Sequence, residues 1–423
     1  MDALTLDLDP TANRNAAAAL ASAGADLNPN DRGPVLIAGA GIGGLASALA
    51  LARRGIPAHV LERRDAFAEE GAGIQIGPNG TRILRALGVE DALRPHLGTP
   101  EKLRVRDGHT GAQLALLPLG RWIADRHGAP YWVVHRKDLH AALVEAARAE
   151  PLIALTMDFA ADEVALGRDR VAVADARGRA KVGRALIAAD GIGSSLRGQL
   201  FESPQPRFYG KSASRAVVPI DGLPADFRRP EVTIWLFPDA HVVHYPISGA
   251  RELAMIVVLD DTDSDCDWNT PVEPSAVLRK MPSRAPELEA LMLAVENWKR
   301  WSLRTLPVPP RLARGPVALL GDAAHPMLPF LAQGGVMALE DAMVIADMLA
   351  VWPGDAAAAL SAYERRRRVR ASRVVAASQR NGTIYHLRGA AGLARNLALR
   401  VIPAQRLMAG FDWLYGWHAD QQA

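Results

Sequence analysis

Gly39-Ala40-Gly41-Ile42-Gly43-Gly44 stands between an apolar run, Val35-Leu36-Ile37-Ala38, and a helical stretch from Leu45 to Arg53. A glycine turn that ends a strand and opens a helix has the spacing of a dinucleotide-binding βαβ unit. In that frame Gly39 makes the tight turn, Gly41 lets backbone approach a diphosphate, and Gly44 lets helix lie on strand, with Gly43 beside it. The amides and dipole of the helix start then hold the diphosphate. The span from Val35 to Ala52 holds 18 uncharged residues, long enough for a membrane helix. Its glycines and its strand-turn-helix pattern explain the run better, and no membrane span is expected.

Moving outward, Ala58-His59-Val60-Leu61 reads as a second parallel strand ending at Glu62. Glu62 lies about twenty residues beyond the glycines, where a carboxylate meets ribose hydroxyls. Arg63 and Arg64 follow; Arg63 is taken as a cofactor contact beside the adenosine. Gly71 to Asn79 is a loop or short strand leading into a helix, with Asn79 as N-cap and Ile83, Leu84 and Leu87 as its apolar stripe. Leu103 to Leu117 suggests a hairpin, His135 opens a helix to about Ala149, and a second hairpin spans Val164 to Val173. Ala185 to Ala189 reads as a buried strand. From about Phe208 to Trp301 the chain becomes β-rich and punctuated by turns, then returns to a parallel strand at Val317 to Leu320 and a helix from about Gly335 to Ala350.

The fold class is therefore α/β: a Rossmann-like nucleotide-binding domain with an inserted antiparallel-sheet domain and C-terminal helices. The expected boundaries are a disordered extension at 1–32 and a discontinuous nucleotide domain at 33–105, 130–205 and 303–355. The sheet domain occupies 106–129 and 206–302, and the helical segment 356–423. The first 32 residues lack the basic start, apolar segment and cleavage site of a secretory signal. A net charge of +3 on 423 residues, spread along the chain and without a recognised motif, argues against a nucleic-acid partner. The single cysteine, Cys266, permits no intramolecular disulfide and no CxxC metal site, which suits a reducing cytoplasm; no metal is expected.

A second signal narrows the dinucleotide. The strand from Val317 ends at Gly321-Asp322, placing a carboxylate at the carboxyl end of a central strand, where open α/β sheets bind ligands. Asp322 can accept hydrogen bonds from the ribityl or diphosphate-proximal hydroxyls of a flavin dinucleotide. Gln333-Gly334-Gly335 precede a helix whose bare amides suit a flavin pyrimidine edge. Asp190-Gly191, after the buried strand, supplies a third turn in which Asp190 and Arg197 tether the loop or meet phosphate.

With these segments in order, the chain resembles the para-hydroxybenzoate hydroxylase-like FAD monooxygenases. The resemblance runs from about Pro34 to Trp417 and rests on GAGIGG at 39–44, LERR at 61–64, GAGIQIGPN at 71–79, HRKDL at 135–139, ADGIGSSLR at 189–197 and LLGDAAHPMLPFLAQGG at 319–335. HVVHYP at 241–246, LEDA at 339–342 and RNGTIYHLRG at 380–389 resemble the salicylate hydroxylase branch. The resemblance implies bound FAD, with Arg136 at the ribityl or diphosphate region and Asp322 at the ribityl chain. It implies NADH or NADPH as a transient co-substrate, since no second glycine fingerprint is present. Oxygen then adds at flavin C4a, and one atom passes to an electron-rich ring of a salicylate-like or hydroxylated-pyridine acid. The competing readings are quinone-precursor hydroxylation or epoxidation on the same scaffold, and a flavin-binding redox module without enzymatic activity.

Ring attack needs an activated phenol. His241 and Tyr245 are four apart on an expected strand and so share a face with Val243, while His244 points away. His241 suits general-base work and Tyr245 the orientation of a substrate oxygen. Arg215 is the candidate partner for a substrate carboxylate, and Pro326 and Phe330 are placed beside the ring. Pro329 stands where 3-hydroxybenzoate 6-hydroxylases tend to carry glutamine, which argues against para-hydroxylation of 3-hydroxybenzoate. His325 is read as bracing its loop, and Arg365 to Arg368 with Arg370 as a solvated helix face. The aromatic segment Phe411 to Trp417 covers the pocket or packs on a partner subunit, in a monomer or homodimer.

Overall fold

Strand Val35–Ala38 lies inside a six-stranded sheet with all four residues buried, as expected where helices cover both faces. The computed structural model describes residues 13–23, 33–67, 71–167, 169–264, 269–281 and 283–419; Cys266 lies outside them. Val35–Ala38 pairs in parallel with Ala58–Leu61 on one side and Ala185–Ala188 on the other. Ile153–Thr156 and Val317–Leu319 extend the parallel order outward, and Ala313–Arg314 adds an antiparallel edge. The register sets Ala38 opposite Leu61 and Ala188, and Ala188 opposite Leu319. The glycine turn, Glu62, the Asp190 turn and Gly321-Asp322 therefore leave the sheet along one edge.

Helix Ile42–Ala52 is apolar on every side because it is enclosed between the sheet and helix Gly334–Val351. A side chain on Gly43 would put its Cβ 2.6 Å from Leu320 and 3.0 Å from Ala338. This close crossing accounts for the long uncharged run, and among the described residues no helix is long and apolar enough to cross a membrane.

The second large sheet has eight strands, in the order Thr270–Val272, Trp298–Thr305, Arg207–Pro219, Glu252–Asp260, His241–Ile247, Glu231–Leu236, Lys102–Asp107, Gln113–Pro118. Its pairings are antiparallel except for Glu231–Leu236 against Lys102–Asp107. A short antiparallel pair, Gly73–Ile76 with Trp132–His135, lies between the two large sheets in the chain order and feeds helices Pro78–Ala86 and Arg136–Ala149.

Three expectations need correction. The segment read as a disordered extension contains helix Arg14–Ala23, packed on the small sheet formed by Glu163–Leu166, Val171–Ala174 and Ala180–Gly183. Its alanines match a flat alanine surface at Ala165, Ala172 and Ala174, and the Asn15 and Ala16 amides donate to Glu163 Oε2 at 2.9 and 3.1 Å. Asn79 is not an N-cap: Gly77 holds that place, Pro78 opens the helix, and Asn79 Nδ2 donates to Gln333 Oε1 and Glu340 Oε1 at 3.0 and 2.8 Å.

The arginine run is not one solvated face. In helix Ala356–Tyr385, Arg365 and Arg368 are exposed, whereas Arg367 is fully buried and pairs with Asp341 Oδ1 at 2.6 Å and Glu340 Oε2 at 2.7 Å. Arg370, three residues on, forks onto Glu340 at 2.6 Å to each oxygen. Helices Gly389–Val401, Ala404–Ala409 and Asp412–Tyr415 complete the C-terminal region. There Tyr415 and Trp417 turn into this chain's own core, and Arg82 donates to their carbonyls at 2.7 and 2.5 Å.

Candidate active site

A cavity of about 830 Å³ opens between the carboxyl edge of the parallel sheet and the inner face of the eight-stranded sheet. Gly41, Gly43, Arg136, Asp322, Gly334 and Gly335 line the first side; Arg215, His241 and Tyr245 line the second. Residues from widely separated parts of the sequence therefore meet around one space.

The glycine turn is shaped for a ligand. Gly39 has φ +105°, and a Cβ there would lie 2.5 Å from the Ala189 carbonyl oxygen. A Cβ on Gly44 would sit 1.9 Å from the Gly39 carbonyl oxygen, so helix and turn touch backbone to backbone. A Cβ on Gly41 would meet nothing within 4 Å; it would project into open space at the start of the helix, beside amides free to bind an anion. Glycine backbone, helix amides and carboxylates thus fit a flavin dinucleotide. Glu62 does not line the cavity: its Oε2 accepts from the Ala40 amide at 2.8 Å and its Oε1 from the Arg64 amide at 3.0 Å. His140 supports the same turn from beneath, Nε2 to the Ala40 carbonyl oxygen at 2.7 Å, a contact that a lone helix histidine did not suggest.

Several expected contacts shift by a residue or more. Arg63 is exposed away from the cavity, and Arg64 lines it. Asp190 turns inward, where burial raises its pKa and the Ser194 side chain and the Leu196 amide serve as its partners; Gly191 and Ile192 face the cavity instead. Buried Arg197 ties the turns together, donating to the Ile192 carbonyl at 2.7 Å and the Ala323 carbonyl at 3.2 Å. Pro326 is buried off the cavity. Phe330 is carried inward by the short turn Pro329–Leu331 and packs on Gly382 and behind His241, ring centres 5.5 Å apart. Met327, Leu328 and Pro329 face the cavity in their place.

Asp322 projects into the cavity from a backbone braced behind it. The Gly321 amide and His325 Nε2 both donate to Asp341 Oδ2, at 3.0 and 2.5 Å. The protein mass around Asp322 raises its pKa, opposed by the positive charges of Arg136, His325 and Arg197. Beside it, Gly334 and Gly335 begin helix Gly334–Val351 with no side-chain cap, leaving first-turn amides for a ligand.

On the opposite wall, His241 is 3% exposed, with Nδ1 2.9 Å from His386 Nε2. Burial, then the neighbouring His386 and Lys211, hold its pKa well below the usual histidine value, so it is a neutral base at pH 7. Tyr245 points the same way; burial pushes its phenol upward, against a hydrogen bond with Gln75, so it stays protonated. Gln75 Oε1 also accepts from Tyr131 at 2.8 Å. Arg215 is buried, donates to Asn269 Oδ1 and lies 5.5 Å from the Trp301 ring centre. His244 faces the other side of the sheet, 4% exposed, with no hydrogen-bond partner on either ring nitrogen among the described residues and its pKa pushed down to about 3 by burial and then Arg106.

Sequence reasoning missed Gln75, Asn269, Trp301 and His386. Gln75 was legible from alternation in Gly73-Ile74-Gln75-Ile76, which puts it on the face of Gly73. Nothing local marked the others.

Comparison with known proteins matches most of the chain. A family model described as "FAD binding domain" matches residues 32–378. The chain is 35% identical over 391 residues to a 3-hydroxybenzoate 6-hydroxylase of Polaromonas naphthalenivorans (strain CJ2), covering 92% of this chain and 97% of that protein. It is 35% identical over 355 residues to a 6-hydroxynicotinate 3-monooxygenase of Bordetella bronchiseptica, covering 82% and 91%. Among solved structures, Klebsiella pneumoniae HpxO complexed with FAD and uric acid superposes with a TM-score of 0.80 at 26% identity, covering 89% of this chain and 95% of that one. The family match spans most of the chain and these relatives are covered along nearly their whole length, so the chain belongs to the para-hydroxybenzoate hydroxylase-like, FAD-dependent aromatic monooxygenases, in their salicylate hydroxylase branch.

Proposed function

We propose that this enzyme hydroxylates a hydroxybenzoate-type acid, a single ring bearing one phenolic hydroxyl and one carboxylate. The observation that carries this reading is the pairing of a cationic and a basic pole on one cavity: Arg215 on one strand, His241 and Tyr245 on another. Bound FAD supplies hydride acceptance from NADH or NADPH and activation of O2. The chain's own groups would hold it: Gly41, Gly43 and the helix start at the diphosphate, Arg64 toward the adenosine ribose, Arg136 and Asp322 along the ribityl chain. The amides of Gly334 and Gly335 would meet the flavin pyrimidine edge.

Arg215 pairs with the substrate carboxylate, oriented by Asn269 and stacked near Trp301. His241 accepts the phenolic proton, giving the electron-rich phenolate that ring hydroxylation needs, and protonated Tyr245 donates to the same oxygen. Pro329 presents no polar group to the cavity, which favours salicylate over 3-hydroxybenzoate within the class; the 3-hydroxybenzoate and hydroxypyridine relatives make both necessary controls. We also place the enzyme in the cytoplasm, as a monomer or homodimer.

The test is direct. The purified yellow protein is given salicylate, 3-hydroxybenzoate and 6-hydroxynicotinate with NADH or NADPH, and coenzyme oxidation, oxygen uptake and product are followed. Stoichiometric hydroxylation of a hydroxybenzoate supports the reading. Preferential turnover of the pyridine acid, or of a neutral quinone precursor, overturns it, as does retained FAD with no stimulated oxygen uptake.

A further inference from the structure

His241 comes from strand His241–Ile247, and His386 caps the end of helix Ala356–Tyr385, 145 residues later. Their rings meet Nδ1 to Nε2 at 2.9 Å, inside the hydrogen-bond range. His241 is enclosed, with Phe330 and Tyr385 packed around its ring at 5.5 and 5.3 Å, and it lines the cavity. His386 is half-buried and leads directly to exposed Arg388 and Gly389. The two rings therefore span the wall between the cavity and the surface. We infer that His386 is the outer half of a two-histidine proton relay that takes the substrate's phenolic proton from His241 and delivers it to solvent. This inference rests on the phenolic substrate proposed above.

With both rings neutral, one nitrogen of the contact donates and the other accepts. When His241 donates from Nδ1, its Nε2 is a free acceptor for the substrate hydroxyl. The substrate O–H bond then breaks as a His241 Nε2–H bond forms. The His241 Nδ1 proton passes to His386 Nε2, and the His386 Nδ1 proton passes to water. One proton leaves for each phenolate formed, no electrons move, and both rings end neutral in the alternative tautomer. Re-protonation of the product oxygen by His241 Nε2, with water supplying His386 Nδ1, runs the same bonds backward and resets the pair.

The surroundings favour passage over storage of the proton. The charged groups facing the pair are Lys211 from strand Arg207–Pro219, Asp260 from strand Glu252–Asp260, Arg395 from helix Gly389–Val401 and Arg388 from the adjoining loop. Burial and then Lys211 push His386 down to about 4, with Asp260 opposing. Neither ring therefore holds a proton as imidazolium at neutral pH.

The experiment uses the FAD-loaded enzyme. Parent and His386→Gln are mixed anaerobically with the phenolic acid, while bound phenolate is read from its ultraviolet absorbance and proton release from an indicator dye. A glutamine can still hydrogen-bond His241 Nδ1 but cannot pass a proton through. His386→Gln is expected to keep FAD and substrate affinity, to release the proton about tenfold more slowly or worse, and to regain rate as pH rises or imidazole is added. Parent-like proton release with a parent-like pH profile overturns the relay and leaves His386 as packing. A proton inventory on the parent needs no variant: a bowed dependence of phenolate formation on deuterium fraction supports several protons in flight, and a straight line overturns it. If the parent binds and hydroxylates no phenolic acid, the functional reading falls and the relay with it; if it does and only the His386 tests fail, the relay alone falls.

Discussion

Two groups of polar side chains lie about helix Gly334–Val351, one buried and one turned to the cavity, and they are finished to different degrees. Behind it, Glu340 and Asp341 are saturated: Arg367, Arg370, Asn79, His325 and the Gly321 amide occupy their oxygens. In front of it, Asp322, His241 and Tyr245 face a space large enough for a flavin ring and a substrate. A saturated cluster buys position, since removing one member strands a buried charge. An unfinished one leaves its capacity for a ligand. The lesson is that similar residue types serve architecture or chemistry according to whether the chain completes their partners.

The comparison breaks most visibly at Arg367. Arg367→Ala takes one buried charge partner from each of Glu340 and Asp341 and is expected to cost about 3–5 kcal/mol, read as a fall in denaturant midpoint, while exposed Arg365→Ala changes stability by less than about 0.5 kcal/mol. Equal effects would mean that the arginines form one surface after all. On the open side, His241→Ala is expected to lower turnover by about 10²–10⁴-fold with unfolding and flavin content unchanged. A parent-like rate removes the general base from the site. Asp322→Ala should loosen FAD by roughly 1.5–3 kcal/mol, measured by flavin release during dialysis, without the large unfolding effect of Arg367→Ala.

The smallest effect concerns His244, which belongs to neither group. Its folded pKa of about 3 lies below the ordinary 6.5, so between these values the unfolded chain binds the proton and the folded one does not. Stability therefore falls as pH drops below 6.5, with a slope of up to about 1.4 kcal/mol per pH unit from this one ring. His244→Phe should flatten the pH 5 to 6.5 portion of a denaturation series. An unchanged slope would show that the ring gains a proton or a partner in the folded state.

What was legible in the sequence was local. The glycine turn, the strand ending at Asp322 and the His241–Tyr245 face each depend on a repeat of a few residues. What was not legible was phase against distant partners. Arg63 and Arg64 differ by one step in a loop, and only the cavity's position selects Arg64. Phe330 and Pro329 exchange roles because one short turn rotates them toward His241. Arg367 is charged, and nothing in its own helix says that two carboxylates 26 and 27 residues earlier will bury it. His386 was visible only as part of a family-like string, because its partner arrives from a strand 145 residues away.

Helix Ala356–Tyr385 holds the segment from Leu319 to Phe330 by its main chain. Tyr363 donates to the Leu319 carbonyl at 2.8 Å, Ser378 to Leu328 at 2.7 Å and Asn381 to Phe330 at 2.7 Å. A carbonyl oxygen is the same whatever side chain it carries. The loop from Met327 to Pro329 is thus clamped by contacts indifferent to its own sequence, while its side chains face the cavity. Descendants of this chain can change those three residues, and with them the lining of the cavity, without rebuilding the scaffold that aims them.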